Sequence, residues 1–391
     1  MEHAFRAAFN QNFTQEAYDA FTKDVFAVAG GELLFRLCET PLFLSQEFSD
    51  ELVAAATELV APFLDAAFLK RLDAAVPPDL YVPNEDAHPL FLQLDFAVAE
   101  SPNGGYIPQL IELQGFPTLY AFQWLLDSKI RKHFQIPDTL TPYFSGLNEQ
   151  TYLELLRRSL LGDAAPDHVV LLEIEPQKQK TMIDFICTEQ VAGIKTVDLC
   201  DVIKRGRKLF YKSGGKEIPI ERIYNRVIFD ELVKKDIQFG FRFQDDLDVV
   251  WLNHPNWFMK ISKYCLPLLK SRYAPPAFFL HALDAYPDDL ENYVLKPLFS
   301  FSGAGVEVDV TKDILDAVAD RENYILQRKV TYAPAVQTPE GGTKVEVRMM
   351  FLWHEKPMLV NNLVRMSRGK LLGASYNRDN TWVGASIAYH P

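Results

Sequence analysis

The amino-acid sequence predicts a mixed α/β (α+β) fold, and three observations carry that expectation. Apolar residues in the first ninety positions recur at helical spacing, residues 168–199 read strand, helix, strand with short links, and the final third is almost wholly strand pattern. In order, Thr14 caps a first helix with Ala17, Phe21 and Phe26 on one face, and Gly30-Gly31 ends it. A second helix opens at Ser49-Asp50-Glu51, runs through Leu52, Ala55, Leu59 and Leu64, and is kinked by Pro62. Pro77-Pro78 closes the region. Strands at 91–97 and 108–113 flank the turn cluster Ser101-Pro102-Asn103-Gly104-Gly105 and form a hairpin. Helices follow at 119–133 and 149–161. The α/β unit comprises a strand at 168–174, a helix at 182–192 and a strand at 194–199. Strands at 208–211 and 221–225 flank Ser213-Gly214-Gly215, and polar and helical material extends to about Asp289. Six strands complete the chain, at 293–296, 306–310, 324–330, 344–353, 358–365 and 370–376.

The chain has 391 residues, 48 % apolar and 24 % charged, enough for two or three domains with large cores. Its net charge of −12 argues against nucleic acid or an anionic membrane as partner, so an anionic ligand needs a local cationic pocket. Cys38, Cys187, Cys200 and Cys265 lack metal or disulfide spacing and read as scattered buried thiols of a reducing compartment. No secretory leader and no membrane-length apolar run is visible; the expected location is the cytoplasm.

Chemistry concentrates in a few stretches. Tyr293-Val-Leu-Lys296-Pro precedes a small-residue loop holding Ser302, Gly303 and Gly305, where backbone amides and a lysine can meet phosphate. No Gly-Lys-Ser/Thr opens a helix there, so it is not a P-loop; a plain hairpin with an exposed lysine has the same pattern. Asn323 to Val330 is an apolar strand turning polar. Glu346 and Arg348 share one strand face, and Arg365 and Arg368 flank a turn, giving the cationic patch an acidic chain needs. Far upstream, the hairpin sets Asp95 beside Glu112, with Gln114 on the same face. Two acids within apolar strands are costly unless paired or metal-bound.

The order of these stretches resembles the circularly permuted ATP-grasp ligases, namely eukaryotic-type glutathione synthetase and glutathionylspermidine synthetase. An ATP-grasp domain ordinarily finishes with strand-Asp and then strand-Glu-x-Asn-x-Pro; here Asp95 and Ile111-Glu112-Leu113-Gln114 come first. Lys296 with its loop, Tyr324-Ile-Leu-Gln-Arg-Lys329-Val, Leu363-Val-Arg365 through Asn380-Thr-Trp-Val-Gly-Ala-Ser386, and Arg222-Ile-Tyr-Asn-Arg226 match further family stretches. The resemblance implies a permuted ATP-grasp fold with an N-terminal helical region (1–87), metal-binding strands plus helices (88–165), a small parallel α/β substrate-binding unit (166–230) and a nucleotide-binding region with a glycine-loop lid (231–391). It implies a carboxylate–amine ligase acting through an acyl phosphate, with ATP and Mg2+ as cofactors, small-molecule carboxylate and amine substrates, and the homodimeric state common among relatives.

The resemblance also assigns roles. Lys296 and one of Lys260 or Lys263 hold phosphates. Gly303 to Gly305 form the lid, Ser302 beside it contacts the nucleotide, and Gln327, Arg328, Lys329 and Val330 line the adenine. Glu346 positions Lys296, and Asp95, Glu112 and Gln114 bind Mg2+. Arg226 and Arg365 hold the substrate carboxylate and the nascent acyl phosphate. Three departures stand out. Ser300-Phe301-Ser302-Gly303 lacks the family's loop glutamate, Gln114 replaces an asparagine, and Gln93 stands where glutathione synthetases have an arginine. The last favours a product other than glutathione. The first leaves a second reading, a non-catalytic relative that binds or senses nucleotide.

Overall fold

Local side chains set where the opening helices start and stop. In the computed structural model, which describes residues 1–300, 305–369 and 380–391, the Thr14 hydroxyl accepts from the Ala17 amide to open Gln15–Ala29. Gly30 closes that helix at φ +74°, a left-handed conformation that glycine adopts without strain. Gln46–Val60 is capped by Ser45, which accepts from the Phe48 amide, so it begins ahead of the expected Ser49. Pro62 ends that helix by turning the chain into a 3-10 segment, Ala61–Leu64. Phe48, Leu52 and Leu59 share a core with Leu94, Val347 and Val364 of the large sheet, while Phe21 and Val25 share another with Phe122 and Tyr389. Leu42–Phe43 pairs in parallel with Ala388–Tyr389, so the first fifty residues are stitched to the last few.

The large sheet is antiparallel, ordered Gly384–Ser386, Pro357–Ser367, Gly341–Trp353, Phe91–Glu100, Tyr106–Gln114, with Val336–Thr338 beside Gly341–Trp353. The expected hairpin is present, and Gly104 and Gly105 both take positive φ in its turn. Its register puts Asp95 opposite Glu112 on one side and opposite Arg348 on the other, while Glu346 faces Arg365. Because side chains alternate across a strand, this register collects charge on one face.

A second sheet is all parallel, ordered Val250–Leu252, Arg222–Asn225, Val169–Glu173, Lys195–Asp198, with the helix Met182–Ala192 crossing from Val169–Glu173 to Lys195–Asp198. The parallel sheet reaches past the expected 166–230, since 250–252 pairs with 222–225. The Ser213-Gly214-Gly215 turn is instead flanked by Lys208–Ser213 and Lys216–Ile220, in a separate antiparallel sheet with Ile203–Arg205. A third small sheet pairs Tyr324–Arg328 with Ala277–Phe279 and Tyr293–Pro297. The strand expected at 306–310 reduces to one bridge between Leu295 and Glu307. The strand expected at 370–376 lies outside the described residues. Helices Tyr120–His133, Glu149–Leu161 and Met182–Ala192 match expectation. Among the described residues no single helix is long and apolar enough to cross a membrane. Cys38, Cys187 and Cys265 are buried free thiols as expected, whereas Cys200 is exposed.

Candidate functional site

The charged face of the large sheet is a network rather than a set of free acids. Arg348 donates to Asp95 through Nε (2.5 Å to Oδ1) and Nη2 (2.7 Å to Oδ2), and through Nη1 to Gln93 Oε1 at 3.1 Å. Arg365 donates to the same Asp95 and lies 3.0 Å from Glu346, whose carboxylate also accepts from the Tyr332 hydroxyl. Asp95 is 1 % exposed and Arg348 4 %. Burial pushes the Asp95 carboxyl up, but the Arg348 and Arg365 guanidiniums outweigh it and hold it below the ordinary carboxylate range. For Arg365 burial works downward, and Asp95, Glu346 and Glu112 together raise it. Burial holds the Glu346 carboxyl above its usual value despite Arg365. Asp95, expected as a metal ligand, therefore spends its oxygens on two arginines, because the strand carrying Arg348 is its direct neighbour. Glu346, expected to position Lys296, is bonded to Arg365 and Tyr332 instead.

Beside this face lies a narrow cleft of about 40 Å3, partly open to solvent, between the end of Tyr106–Gln114 and the chain at 258–263 and 298–300. Gly115 makes the close approach possible, since a Cβ there would sit 2.4 Å from the Trp257 carbonyl oxygen and 2.8 Å from Ile261 Cβ. Glu112, Gln114 and Lys263 line the cleft. Lys296 is buried at its edge, its Nζ donating to the Ile111 carbonyl at 3.3 Å. Burial lowers the Lys296 ammonium to about 8, with Lys263 pushing the same way and Glu112, Glu346 and Asp95 opposing. Four cations (Lys263, Lys296, Arg348, Arg365) thus gather with three carboxylates (Asp95, Glu112, Glu346), a cationic locus in a chain of net charge −12. Lys263 donates to the Ser300 carbonyl at 2.7 Å. Lys260, the other candidate phosphate lysine, does not line it: its Nζ is held by Asp73 at 2.6 Å and by Glu85, over the Trp257 ring. Three residues on, the chain has left the helix Asn256–Lys260 for a 3-10 turn, and the two side chains find different partners.

Whether these residues suit a divalent cation can be judged from the donors. Among the described residues no group of three or more His, Cys, Asp or Glu is placed to hold a metal. Glu112 and Gln114 are paired, Nε2 to Oε1 at 2.5 Å, which leaves the buried Gln114 Oε1 without a hydrogen-bond partner. One carboxylate plus one orphaned amide oxygen fits a Mg2+ completed by phosphate oxygens and water, and does not fit an all-protein cage.

Arg226 lies beyond the cleft, behind Phe116. It is 3 % exposed, donates to the Thr118 hydroxyl at 3.0 Å and the Thr181 hydroxyl at 3.2 Å, and makes no ion pair among the described residues. Its guanidinium sits 4.8 Å from the Phe116 ring centroid and 5.6 Å from that of Phe185, and its Nε has no partner. The neighbouring acids are occupied. Asp184 accepts from the Leu119 and Phe122 amides at the start of Tyr120–His133, and burial drives the Glu173 carboxyl up to about 8. Against that burial, the Arg226 guanidinium is the largest charge acting on both carboxyls and lowers them.

The remaining candidates scatter. Gln327 is buried and reaches the Leu110 carbonyl at 3.5 Å, with Oε1 unpartnered. Arg328 faces solvent beside Asp289 and Tyr293, Lys329 Nζ holds the Glu291 carbonyl, and Val330 lies past the strand end. Gly305 has φ +71°, and a Cβ there would lie 2.9 Å from Pro297 Cγ, so the loop leaving Lys296 requires glycine. Ser302 and Gly303 lie outside the described residues. Arg348 as the Asp95 partner, Tyr332, and the wall Phe116, Phe258 and Phe299 carry no motif of their own; only the alternation Glu346-x-Arg348 hinted at one of them.

No family model and no curated protein matches the chain. Among solved structures, a glutathione synthetase-like effector, GSS30, from Globodera pallida in its apo form aligns over 97 % of this chain and 97 % of its own. The TM-score is 0.58 and the identity 12 %. The two share a fold. At that identity the likeness speaks for architecture and for nothing that either protein binds.

Proposed function

We propose that the chain is a circularly permuted ATP-grasp ligase that joins a small-molecule carboxylate to an amine through an acyl phosphate. The observation that carries this reading is the meeting of Lys296, Lys263, Glu112 and Gln114 at one cleft, from segments far apart in the sequence. In this reading Lys263 and Lys296 hold the phosphates of ATP, and Gln327 and the end of its strand lie along the base. Glu112 and Gln114 would hold one Mg2+, which offsets the charge on the transferring phosphoryl group. Arg226 anchors the acid. Arg365, fixed by Asp95 and Glu346, presents a rigid donor to the developing charge. Asp95 acts through Arg365 and binds no metal.

A phosphate-release assay with Mg2+, ATP and panels of amino acids, γ-glutamyl dipeptides and polyamines tests the reading. Turnover should vanish in Glu112→Ala while the melting transition stays unchanged. Full turnover in that variant, or absence of nucleotide binding by calorimetry, would refute it. The sequestration of Asp95 by two arginines favours one alternative, a nucleotide-binding protein without catalysis. That alternative predicts ATP binding with no consumption under any acid and amine pair.

A further inference from the structure

The strands of the parallel sheet lead to Arg226 at one end and begin, at the other, on a second and wider groove. It measures about 290 Å3 and is open to solvent, between the starts of Arg222–Asn225 and Val250–Leu252 and the turn that follows Gly341–Trp353. Small-ligand pockets begin at roughly 300 Å3, so the groove has the room one needs. At about 3.3 Å per residue, Arg222 stands roughly 13 Å along its strand from Arg226, and Trp353 roughly 17 Å along another from Arg348. The groove is therefore a separate place from the cleft of Lys263 and Lys296.

Its two fixed charges are opposite and do not touch. Arg222 is held by the end of the helix Glu149–Leu161, its Nε donating to the Leu160 carbonyl at 3.1 Å and its Nη2 to the Ser159 carbonyl at 3.5 Å. Gly162 leaves space for it, since a Cβ there would lie 2.9 Å from Arg222 Cζ. Nη1 is left without a hydrogen bond among the described residues. Asp86, also lining the groove, forms neither a hydrogen bond nor an ion pair among the described residues. Desolvation and Glu85 raise the Asp86 carboxyl while Arg222 opposes them; burial lowers the Arg222 guanidinium while Asp163 and Asp86 oppose it. The two are close enough to attract and too far apart to pair.

The rest of the lining is largely aromatic and aliphatic. Trp353 and Trp251 are 4 % and 5 % exposed, and the His88 ring lies flat on Trp353, centroids 4.7 Å apart at 8°. Val250, 46 % exposed, is a large apolar side chain left uncovered beside them. His354 shares a hydrogen bond with the Ser159 hydroxyl at 2.8 Å; burial, then Arg158 and His88, hold its imidazole below the ordinary range, so it adds no charge at pH 7.5.

We propose that this groove binds a free α-amino acid with an apolar side chain, its carboxylate on Arg222, its ammonium on Asp86 and its side chain against Trp353, Trp251 and Val250. A ligand of single charge satisfies one of the two groups and leaves the other unpaired; a zwitterion satisfies both and brings no net charge. The inference does not depend on the ligase reading. Calorimetry on the full chain at pH 7.5, without nucleotide, takes L-phenylalanine as the probe. Three molecules each lack one of its groups: phenethylamine the carboxylate, 3-phenylpropionate the ammonium, glycine the side chain. Each should bind at least about tenfold more weakly than phenylalanine. Asp86→Asn, which has no hydrogen bond in the fold to lose, should weaken phenylalanine about tenfold and leave 3-phenylpropionate unchanged. Phenylalanine that does not saturate, or any one of the three that equals it, overturns the proposal. So does full phenylalanine affinity in Asp86→Asn, which would place the amino acid elsewhere and fit its use as a ligase substrate.

Discussion

Replacing Asp95 by asparagine would leave the Arg348 guanidinium facing an amide in a place where it is 4 % exposed. The pair is bidentate at 2.5 and 2.7 Å, and Arg365 leans on the same carboxylate. Removing one partner of such a buried pair typically costs about 3–5 kcal/mol, because the surviving charge has lost both water and counter-ion. Arg365 has a 34 % exposed side chain and can turn to solvent or to Glu346, so most of the loss falls on Arg348. Asp95→Asn should therefore lower the free energy of unfolding by about 3–5 kcal/mol, read from urea or thermal unfolding at pH 7. Asp95→Leu combined with Arg348→Met should cost less than either change alone, a coupling a double-mutant cycle would expose. The pH dependence has a fixed sign. The folded-state carboxyl lies below its ordinary value, so the stabilisation is present above the unfolded carboxylate range and is lost as pH falls through the folded one. A loss under about 1 kcal/mol, together with a collapse of Mg2+ affinity, would refute the argument and return Asp95 to the role of metal ligand.

Lys296 has its ammonium lowered to about 8 by burial, so ATP affinity should fall as pH rises from 7 to 9, and Lys296→Met should be weak and pH-independent across that window; calorimetry at several pH values checks both. Glu173 is raised by burial from 4.5 to about 8, which means its neutral form is the one the fold prefers: its contribution to stability is complete below 4.5 and lost as pH climbs to about 8. Glu173→Gln should then melt closer to the unaltered chain at pH 5 and above it at pH 9.

Sequence alone conveyed what local chemistry determines. Thr14 and Gly30 bound a helix, Asn148 caps Glu149–Leu161 in a reciprocal box with Thr151, and the glycine-rich turn after Glu100 fixes the hairpin that sets Asp95 beside Glu112. What stayed illegible depends on distant partners. Val250–Leu252 is three residues long and is a strand only because Arg222–Asn225 lies alongside. The choice between Lys260 and Lys263 turns on Asp73 and Glu85, nearly two hundred residues upstream, which claim Lys260. Asp95 looked like a metal ligand because two acids in apolar strands demand compensation, and nothing local announces that the compensation comes from Arg348, 253 positions away.

The pairing of Leu42–Phe43 with Ala388–Tyr389 has a consequence for biogenesis. Ser386 donates to the Thr40 carbonyl 346 positions upstream, and Tyr389, fully buried, donates to Asp127 at 2.6 Å. At roughly 5–20 residues per second of synthesis, the earliest helices wait on the order of 20–70 s for the strand that seals them. During that interval the apolar run Leu42-Phe43-Leu44, buried in the finished molecule, has only the first helix, through Phe5 and Phe9, to pack against Phe43. Until Ala388–Tyr389 has been made, the backbone of Leu42–Phe43 lacks its parallel partner and the seam between the two stretches stays open.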